Sequence, residues 1–357
     1  MNAIEFHPLM KFRVFAIIWL GYFMSFPVYC QSDDQNKVAH NERSNQDITN
    51  AIFSLRSGQC QDYVGRYRSE VEDLQRDKTF GGEVTITANE HFCFIKANNI
   101  PNHNFNDASA HFATPVQMQD VIYRITRTPR KAASPTPLNM RVINAVMLNG
   151  VEVDSYSAGC YGVGNEPLGR EKRGCNDANN PWRYDAMSKA NHFGTDKHHA
   201  HVQPNGAYHY HGNPMAMFIP NCDTQTQPSA VIGFAADGFP IFGSCILDKE
   251  TAKIRKVTSS FVLKNKGGKR QDVPPYQTPK AGHGFVESDN YNGQFIGDFE
   301  YQAGAGDLDE CNGMTVNGQY GYYVTDSYPW IVNCYQGIVD DSFRKKGARL
   351  KNRMHGH

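Results

Sequence analysis

The 357-residue sequence predicts a mainly β protein: one large, sandwich-like domain with long disulfide-linked loops and little helix. Three observations indicate this class. Short segments in which polar and apolar residues alternate recur along the chain, and Glu83–Ala88 is the clearest of them. Turn residues (Gly, Pro and Asn) separate these segments, and strong helical periodicity is scarce. The cysteines are dispersed, as in an extracellular protein stabilised by disulfides.

The first 30 residues have the layout of a secretory signal peptide. Lys11 and Arg13 precede an apolar run over residues 14–24, which is shorter than the roughly 20 residues of a transmembrane helix. Small residues before Gln31 suit cleavage there. We therefore expect an exported protein, periplasmic or secreted, without a transmembrane segment. The chain has no Asn-x-Ser/Thr sequon, which favours a bacterial origin.

Removal of the signal peptide would leave an even number of cysteines, which predicts disulfides. No Cys-x-x-Cys is present, so a zinc ribbon or a thioredoxin-like site is not expected. Because short loops close most readily, we expect pairing between neighbours. The expected pairs are Cys60 with Cys93, Cys160 with Cys175, Cys222 with Cys245, and Cys311 with Cys334.

The chain divides into a polar, disordered leader over residues 31–50, a β-rich domain over 51–340 and a basic, histidine-containing tail over 341–357. Within the domain, residues 63–74 suggest a short amphipathic helix. Turn sequences predict two hairpins, one with Asn149-Gly150 as a two-residue turn and one around Asp237-Gly238. The formal charge is zero, which argues against a nucleic-acid-binding protein.

A third hairpin carries five of the 14 histidines in residues 198–211. Pro204-Asn205-Gly206 suits a three-residue loop, in which Gly takes a positive φ. In that register Val202 opposes Tyr208 and His201 opposes His209. A two-residue Asn205-Gly206 turn is the alternative, and it would separate the histidines onto different faces.

The three-residue loop predicts a metal site. Side chains alternate along a strand, so His199, His201, His209 and His211 would share one face, with His198 pointing away and exposed. Neutral imidazoles suit transition metals, with zinc or copper as the leading candidates. The alternative is that the clustered His and Tyr residues line a polar, aromatic sheet face and bind nothing.

The same residues resemble the signature of the YHYH-domain proteins. Tyr208-His209-Tyr210-His211 is the defining tetrapeptide, and further elements occur in the family's order over roughly residues 83–338. These elements are Ile100-Pro101-Asn102-His103, the block Gly233-Phe234-Ala235-Ala236-Asp237-Gly238-Phe239-Pro240, the segment Gly306-Asp307-Leu308-Asp309-Glu310-Cys311, and Tyr323-Val324-Thr325-Asp326. The resemblance implies an exported protein with a YHYH-type domain over residues 51–340. It implies no particular reaction, because the family is defined by its motif.

Four other residues are candidates for the site. The resemblance makes His103 a further ligand, whereas sequence alone places it in a loop. Asp237 could accept a hydrogen bond from a metal-ligating imidazole, although Asp-Gly is also the sequence that a tight turn requires. Asp309 and Glu310 form an acidic pair that could bind calcium or act as acid and base, or be a solvated turn.

These features leave three functions open. The first is a transition-metal-binding protein that sequesters or delivers the ion. The second is a metal-dependent extracytoplasmic hydrolase acting on a small molecule, which a three-ligand site beside a cleft would favour. The third is a surface carbohydrate- or polymer-binding module with aromatic stacking platforms. The sequence contains no Gly-x-Ser-x-Gly elbow, so it gives nucleophilic catalysis little support.

Overall fold

The computed structural model describes residues 45–345; the predicted signal peptide and residues 346–357 lie outside this range. The described part is mainly β, as predicted. Its helices are short 3₁₀ turns: Cys60–Tyr63, Lys189–Asn191, Cys222–Thr224, Lys264–Gly267, Ile296–Asp298 and Asp341–Phe343. No helix within residues 45–345 has the length and apolar character of a membrane span.

Twenty-one short strands are defined in the described residues. In chain order they are β1 (Gln46–Asp47), β2 (Gly65–Asp73), β3 (Lys78–Ala88), β4 (Phe92–Ala97), β5 (Val121–Thr126), β6 (Thr136–Pro137), β7 (Ala145–Met147), β8 (Glu152–Val153), β9 (Tyr156–Cys160), β10 (Arg183–Asp185), β11 (Ala200–Val202), β12 (Tyr208–Tyr210), β13 (Val231–Ala235), β14 (Pro240–Phe242), β15 (Cys245–Leu247), β16 (Ile254–Lys256), β17 (Phe261–Leu263), β18 (Phe299–Tyr301), β19 (Gly313–Val316), β20 (Gln319–Tyr323) and β21 (Cys334–Tyr335).

Two larger sheets form the domain. One has five strands in the order β1-β2-β3-β4-β5, and the other has eight in the order β11-β12-β8-β7-β13-β14-β20-β19. The alternation that predicts β3 is reproduced, because Val84 and Ile86 are buried while Glu83 is exposed. Side chains of both sheets, among them Ile95 and Phe234, belong to one hydrophobic core. That shared core gives the sandwich-like architecture.

Three hairpins of the larger sheet use the same loop. Each loop has three residues and ends in a glycine with positive φ: Gly150 at 82°, Gly206 at 84° and Gly238 at 89°. The two-residue Asn149-Gly150 turn is therefore wrong, since the amide of Met147 donates to the carbonyl of Val151 around a three-residue loop. A β-branched or other L side chain at these glycines would be strained, because the left-handed region penalises Cβ.

Other boundaries also differ from the sequence predictions. Residues 65–73 form the long strand β2 rather than a helix, because the alternating Ser69, Val71 and Asp73 side chains are buried against the core. The folded region begins before residue 51, with strand β1 and the buried Ile48. It also extends past residue 340, because Phe343 is fully buried. Within residues 45–345, folded segments therefore lie on both sides of the 51–340 range.

The eight cysteines within residues 45–345 form four disulfides in the expected neighbour pairing: Cys60–Cys93, Cys160–Cys175, Cys222–Cys245 and Cys311–Cys334. The Cys160–Cys175 bridge closes a loop that forms one wall of the cavity described below. Disulfides of this number are typical of proteins in oxidising compartments.

Candidate metal centre

Strands β11 and β12 form the histidine hairpin in the register that the three-residue loop predicts. His201 lies opposite His209, and Val202 lies opposite Tyr208. The amide of Gln203 donates to the carbonyl of Ala207 at 2.9 Å and closes the loop. The alternative two-residue turn is excluded, so the alternation along β12 places His209 and His211 on one side of the strand.

Three imidazoles converge on that side. Nε2 of His211 lies 2.9 Å from Nε2 of His201 and 3.1 Å from Nε2 of His209. His201, His209 and His211 are the one group of metal-binding side chains that meets at a point within residues 45–345. In a tetrahedral zinc site with Zn–N distances of about 2.0–2.1 Å, ligand nitrogens are about 3.3 Å apart. Both measured spacings are therefore close to what an ion requires, and all three ligand atoms lie within 4.8 Å of one another.

The other nitrogen of each ring faces a backbone carbonyl. Nδ1 of His209 lies 3.3 Å from the carbonyl of Ala207, that of His211 lies 3.3 Å from the carbonyl of Ser155, and that of His201 lies 3.4 Å from the carbonyl of Phe193. A carbonyl only accepts, so these contacts suit the tautomer with the proton on Nδ1. In that tautomer the three Nε2 atoms present lone pairs that an ion can bind. Orientation of ligating imidazoles by backbone carbonyls is usual in metal sites.

Burial keeps these imidazoles neutral. It lowers the pKa of His201 to about 3 and that of His211 to about 4, and for His201 the neighbouring His211 adds to the effect. Burial and both neighbours hold the pKa of His209 well below its usual range. Neutral imidazole is the form that binds metals, so the triad is in its ligating state at neutral pH.

A polar network adjoins the triad. Nε2 of Gln203 lies 3.4 Å from Nε2 of His209 and donates to Oδ2 of the buried Asp154 at 3.1 Å. Nζ of Lys345 donates to the same Asp154 oxygen at 2.6 Å. A carboxylate, an amide and an ammonium thus form a connected network that reaches the metal-facing Nε2 of His209, where they can hold or move a proton.

The triad opens onto a cavity of about 700 Å³. His201, His209 and His211 form part of its wall, together with Asp154, Gln203 and Lys345. Its other walls come from the 160–175 disulfide loop and from residues around Phe193 and Phe285. A ligand of moderate size could therefore reach an ion bound by the triad.

His199 and His198 are placed differently from the predictions. His199 has a left-handed φ of 62°, and its Nδ1 bonds to the carbonyl of Asn213 at 2.9 Å, so it lies outside the triad. His198 points away from the triad as expected but is buried, not exposed, and its ring lies 3.8 Å from that of His103. The cause is a turn closed by Asp196, whose carboxylate accepts the amides of His198 and Ala200.

The opposite face of β12 is a hydrogen-bonded part of the core. Tyr208 and Tyr210 are fully buried, as the core-packing interpretation expects. The Tyr208 hydroxyl donates to Oδ2 of Asp196 at 2.7 Å. His103 belongs to this face, since its Nε2 lies 2.7 Å from the Tyr210 hydroxyl, and it is not a ligand with the triad.

The acidic candidates also lie outside the triad. Asp237 sits in its hairpin loop, where its carboxylate accepts the Tyr322 hydroxyl at 2.6 Å and the Gly337 amide at 2.9 Å. Asp309 accepts the amides of Cys311 and Gly313 and the Tyr320 hydroxyl, and Glu310 is approached by the Gln336 amide at 3.4 Å. Burial raises the pKa of Asp237 and of Asp309. In these contacts the carboxylates stabilise turns, and the contacts give no support to the prediction of calcium binding.

Asp154 and Lys345 are site residues that the sequence did not single out. Asp154 follows β8, which reaches the hairpin only because β8 and β12 pair in parallel. Lys345 lies 191 positions further along the chain and was assigned to the tail. No local motif signals either contact. Gln203, by contrast, flanks the loop, and the predicted register already places it beside the histidine face.

Fold and site together define a β-rich, disulfide-linked protein with a buried histidine triad that could hold a metal ion. The chain matches the family model described as YHYH protein over residues 122–337, which is more than half of its length, and it therefore belongs to the YHYH protein family. No curated protein and no solved structure matches the chain.

Proposed function

We propose that this YHYH protein is exported and binds one transition-metal ion, with zinc or copper favoured, through Nε2 of His201, His209 and His211. The observation that carries the proposal is the convergence of the three Nε2 atoms, with each Nδ1 facing a backbone carbonyl that can accept its proton. In that tautomer the Nε2 lone pairs suit a borderline-soft ion that takes nitrogen ligands.

The cavity favours a second, more specific function, a metal-dependent hydrolase. Three protein ligands leave a coordination position open, and the triad borders a cavity of about 700 Å³ rather than a closed pocket. An ion with an open position would polarise a substrate oxygen or lower the pKa of bound water. Asp154, which accepts hydrogen bonds from Gln203 and Lys345 in the cavity wall, is our candidate for the proton acceptor. The tyrosines of the YHYH motif give the carbohydrate-binding module no support, because Tyr208 and Tyr210 are buried and offer no stacking surface.

Metal stoichiometry tests the proposed function. We expect wild-type protein purified from an oxidising compartment and dialysed against zinc or copper to retain one ion per chain by elemental analysis. His209→Ala/His211→Ala should retain none. His199→Ala is the matched control, since His199 lies in the same hairpin with its ring turned to Asn213, and it should retain the ion. Equal metal in the double variant and the wild type would overturn the proposal.

Export is tested separately. Mass spectrometry of protein recovered outside the cytoplasm should place the N-terminus at or within a few residues of Gln31 and detect no free thiol. An intact N-terminus with alkylatable cysteines would contradict export through a cleaved signal peptide, and would leave the metal site untouched.

A further inference from the structure

The cavity beside the triad has a cationic end. Four cationic side chains line the cavity: Lys345 in the network at the triad, and Arg170, Lys172 and Arg173 on the 160–175 loop, which form the cationic end. Three carboxylates line it as well, and each is engaged within the protein. Asp154 binds Lys345, Glu166 binds Arg173, and Glu171 accepts the Tyr184 hydroxyl and the Gly162 amide.

Arg170 and Lys172 remain for a ligand. In the part of the chain that the structure describes, neither takes part in an ion pair with a carboxylate. Both are on the 160–175 disulfide loop and are exposed to the cavity mouth. The Arg170 guanidinium stacks over the Phe285 ring, 4.9 Å from its centroid, which leaves its N–H donors at the ring edge free to meet an anion.

An aromatic path joins this cationic end to the triad. The Phe193 ring lies 6.3 Å from that of His201 and 6.2 Å from that of His211. The next residue back, His192, lies 5.6 Å from the ring of Phe285, on which Arg170 stacks. The path from the triad to the guanidinium is thus lined by flat, largely apolar surfaces.

We propose that the cavity takes an elongated organic anion: a polar group at the triad, a planar or apolar middle along Phe193 and Phe285, and a carboxylate or phosphate at Arg170 and Lys172. The inference rests on the proposed function, because it takes a triad-bound ion as the anchor of the polar end. The inference adds a substrate class to the proposed function. Neutral and cationic molecules of the same shape would leave Arg170 and Lys172 without a negative partner, so an anion is favoured.

Calorimetric titration of zinc-loaded protein with hydroxamates tests this assignment. The probes are benzohydroxamate, 4-carboxybenzohydroxamate, its longer 4′-carboxybiphenyl analogue, and the methyl ester of each acid. We expect at least one acid to bind about tenfold (about 1.4 kcal/mol) more tightly than its own neutral ester, because only the carboxylate can form a charge-assisted contact with Arg170 or Lys172. Arg170→Ala/Lys172→Ala should remove that preference.

Lys197→Ala is the matched control, since Lys197 is an exposed cation beside the same hairpin that does not line the cavity. It should keep the preference for the acid. Acids and esters that bind equally well, or a preference that survives in the Arg170/Lys172 variant, would overturn the anion site while leaving metal binding intact. Loss of all hydroxamate binding together with loss of zinc would instead count against the proposed function. The two failures are therefore distinguishable.

Discussion

The two faces of strand β12 hold histidines in opposite situations. On one face, Nε2 of His103 receives the Tyr210 hydroxyl, which itself accepts the Asn149 amide, so this imidazole is satisfied by the protein. On the other face, Nε2 of His209 lies 3.1 Å from Nε2 of His211 and 3.4 Å from the side-chain nitrogen of Gln203. Burial depresses the pKa on both faces, so burial alone does not distinguish a structural histidine from a ligand. What differs is the geometry: Nε2 of His103 pairs with one hydroxyl, whereas the Nε2 atoms of the triad converge on one another, where an ion can bind them.

The largest expected effect is a crossed pair of substitutions on these faces. His209→Ala should weaken metal affinity by more than about 100-fold, the upper end of what loss of an outer partner causes. His103→Ala should change affinity little and lower the free energy of unfolding by about 2–3 kcal/mol, because it leaves the Tyr210 hydroxyl buried without its acceptor. Metal titration and urea unfolding measure the two. Similar metal affinities for both variants would break the comparison.

Metal removal should lower the free energy of unfolding only in a chain with an intact triad. Zinc at about 100 times its Kd should raise the free energy of unfolding by about 2.7 kcal/mol relative to protein in chelator, since only the folded state assembles the site. In His209→Ala/His211→Ala, zinc and chelator should give the same urea midpoint. An equal shift in that variant would assign the stabilisation to another site.

The structural face should carry a pH dependence. Burial lowers the pKa of His198 to about 4 from about 6.5 in the unfolded chain, so the unfolded state takes up the proton first and stability is lost as the pH falls between these values. His198→Asn lacks this penalty. Its stability relative to wild type should therefore rise by about 2–3 kcal/mol between pH 7 and about pH 4.5 in chelator. A pH-independent difference would contradict the assignment.

The smallest effect sharpens the role of the tyrosine face. Tyr210→Phe removes the hydroxyl that links Asn149 to His103 and should cost about 1–2 kcal/mol of unfolding free energy. Metal stoichiometry should stay at the wild-type value. Loss of metal in Tyr210→Phe would show that the two faces are coupled, and the tyrosine would then be part of the metal centre.

The hairpin shows how far local sequence could predict this site. Pro204-Asn205-Gly206 sets the loop, and the loop sets the register that brings His201, His209 and His211 together. Alternation failed at His199, because alternation requires extended backbone and the Asp196 turn gives His199 a left-handed φ. Asp196 lies only three residues earlier, and an Asx turn was the available signal.

Long-range contacts account for what the sequence did not predict. Asp154 and Lys345 reach the triad through a parallel strand pair and a C-terminal segment, and the pairing of distant segments leaves no periodicity to detect. The sequence predicts a helix over residues 63–74 because charged residues mask the polar–apolar alternation there. Pairing with β3 over nine positions makes residues 65–73 a strand. The neighbour pairing of the cysteines was predicted correctly because the prediction needed only the loop lengths and no long-range contact.

X-ray absorption at the metal edge tests the central claim most directly. Zinc-loaded wild-type protein should show three imidazole nitrogens at about 2.0–2.1 Å, recognisable by multiple scattering from the rings, plus one further N or O ligand. The spectrum of His198→Asn should be the same. A shell without imidazole scattering, or one dominated by carboxylate oxygen, would contradict a metal centre formed by His201, His209 and His211.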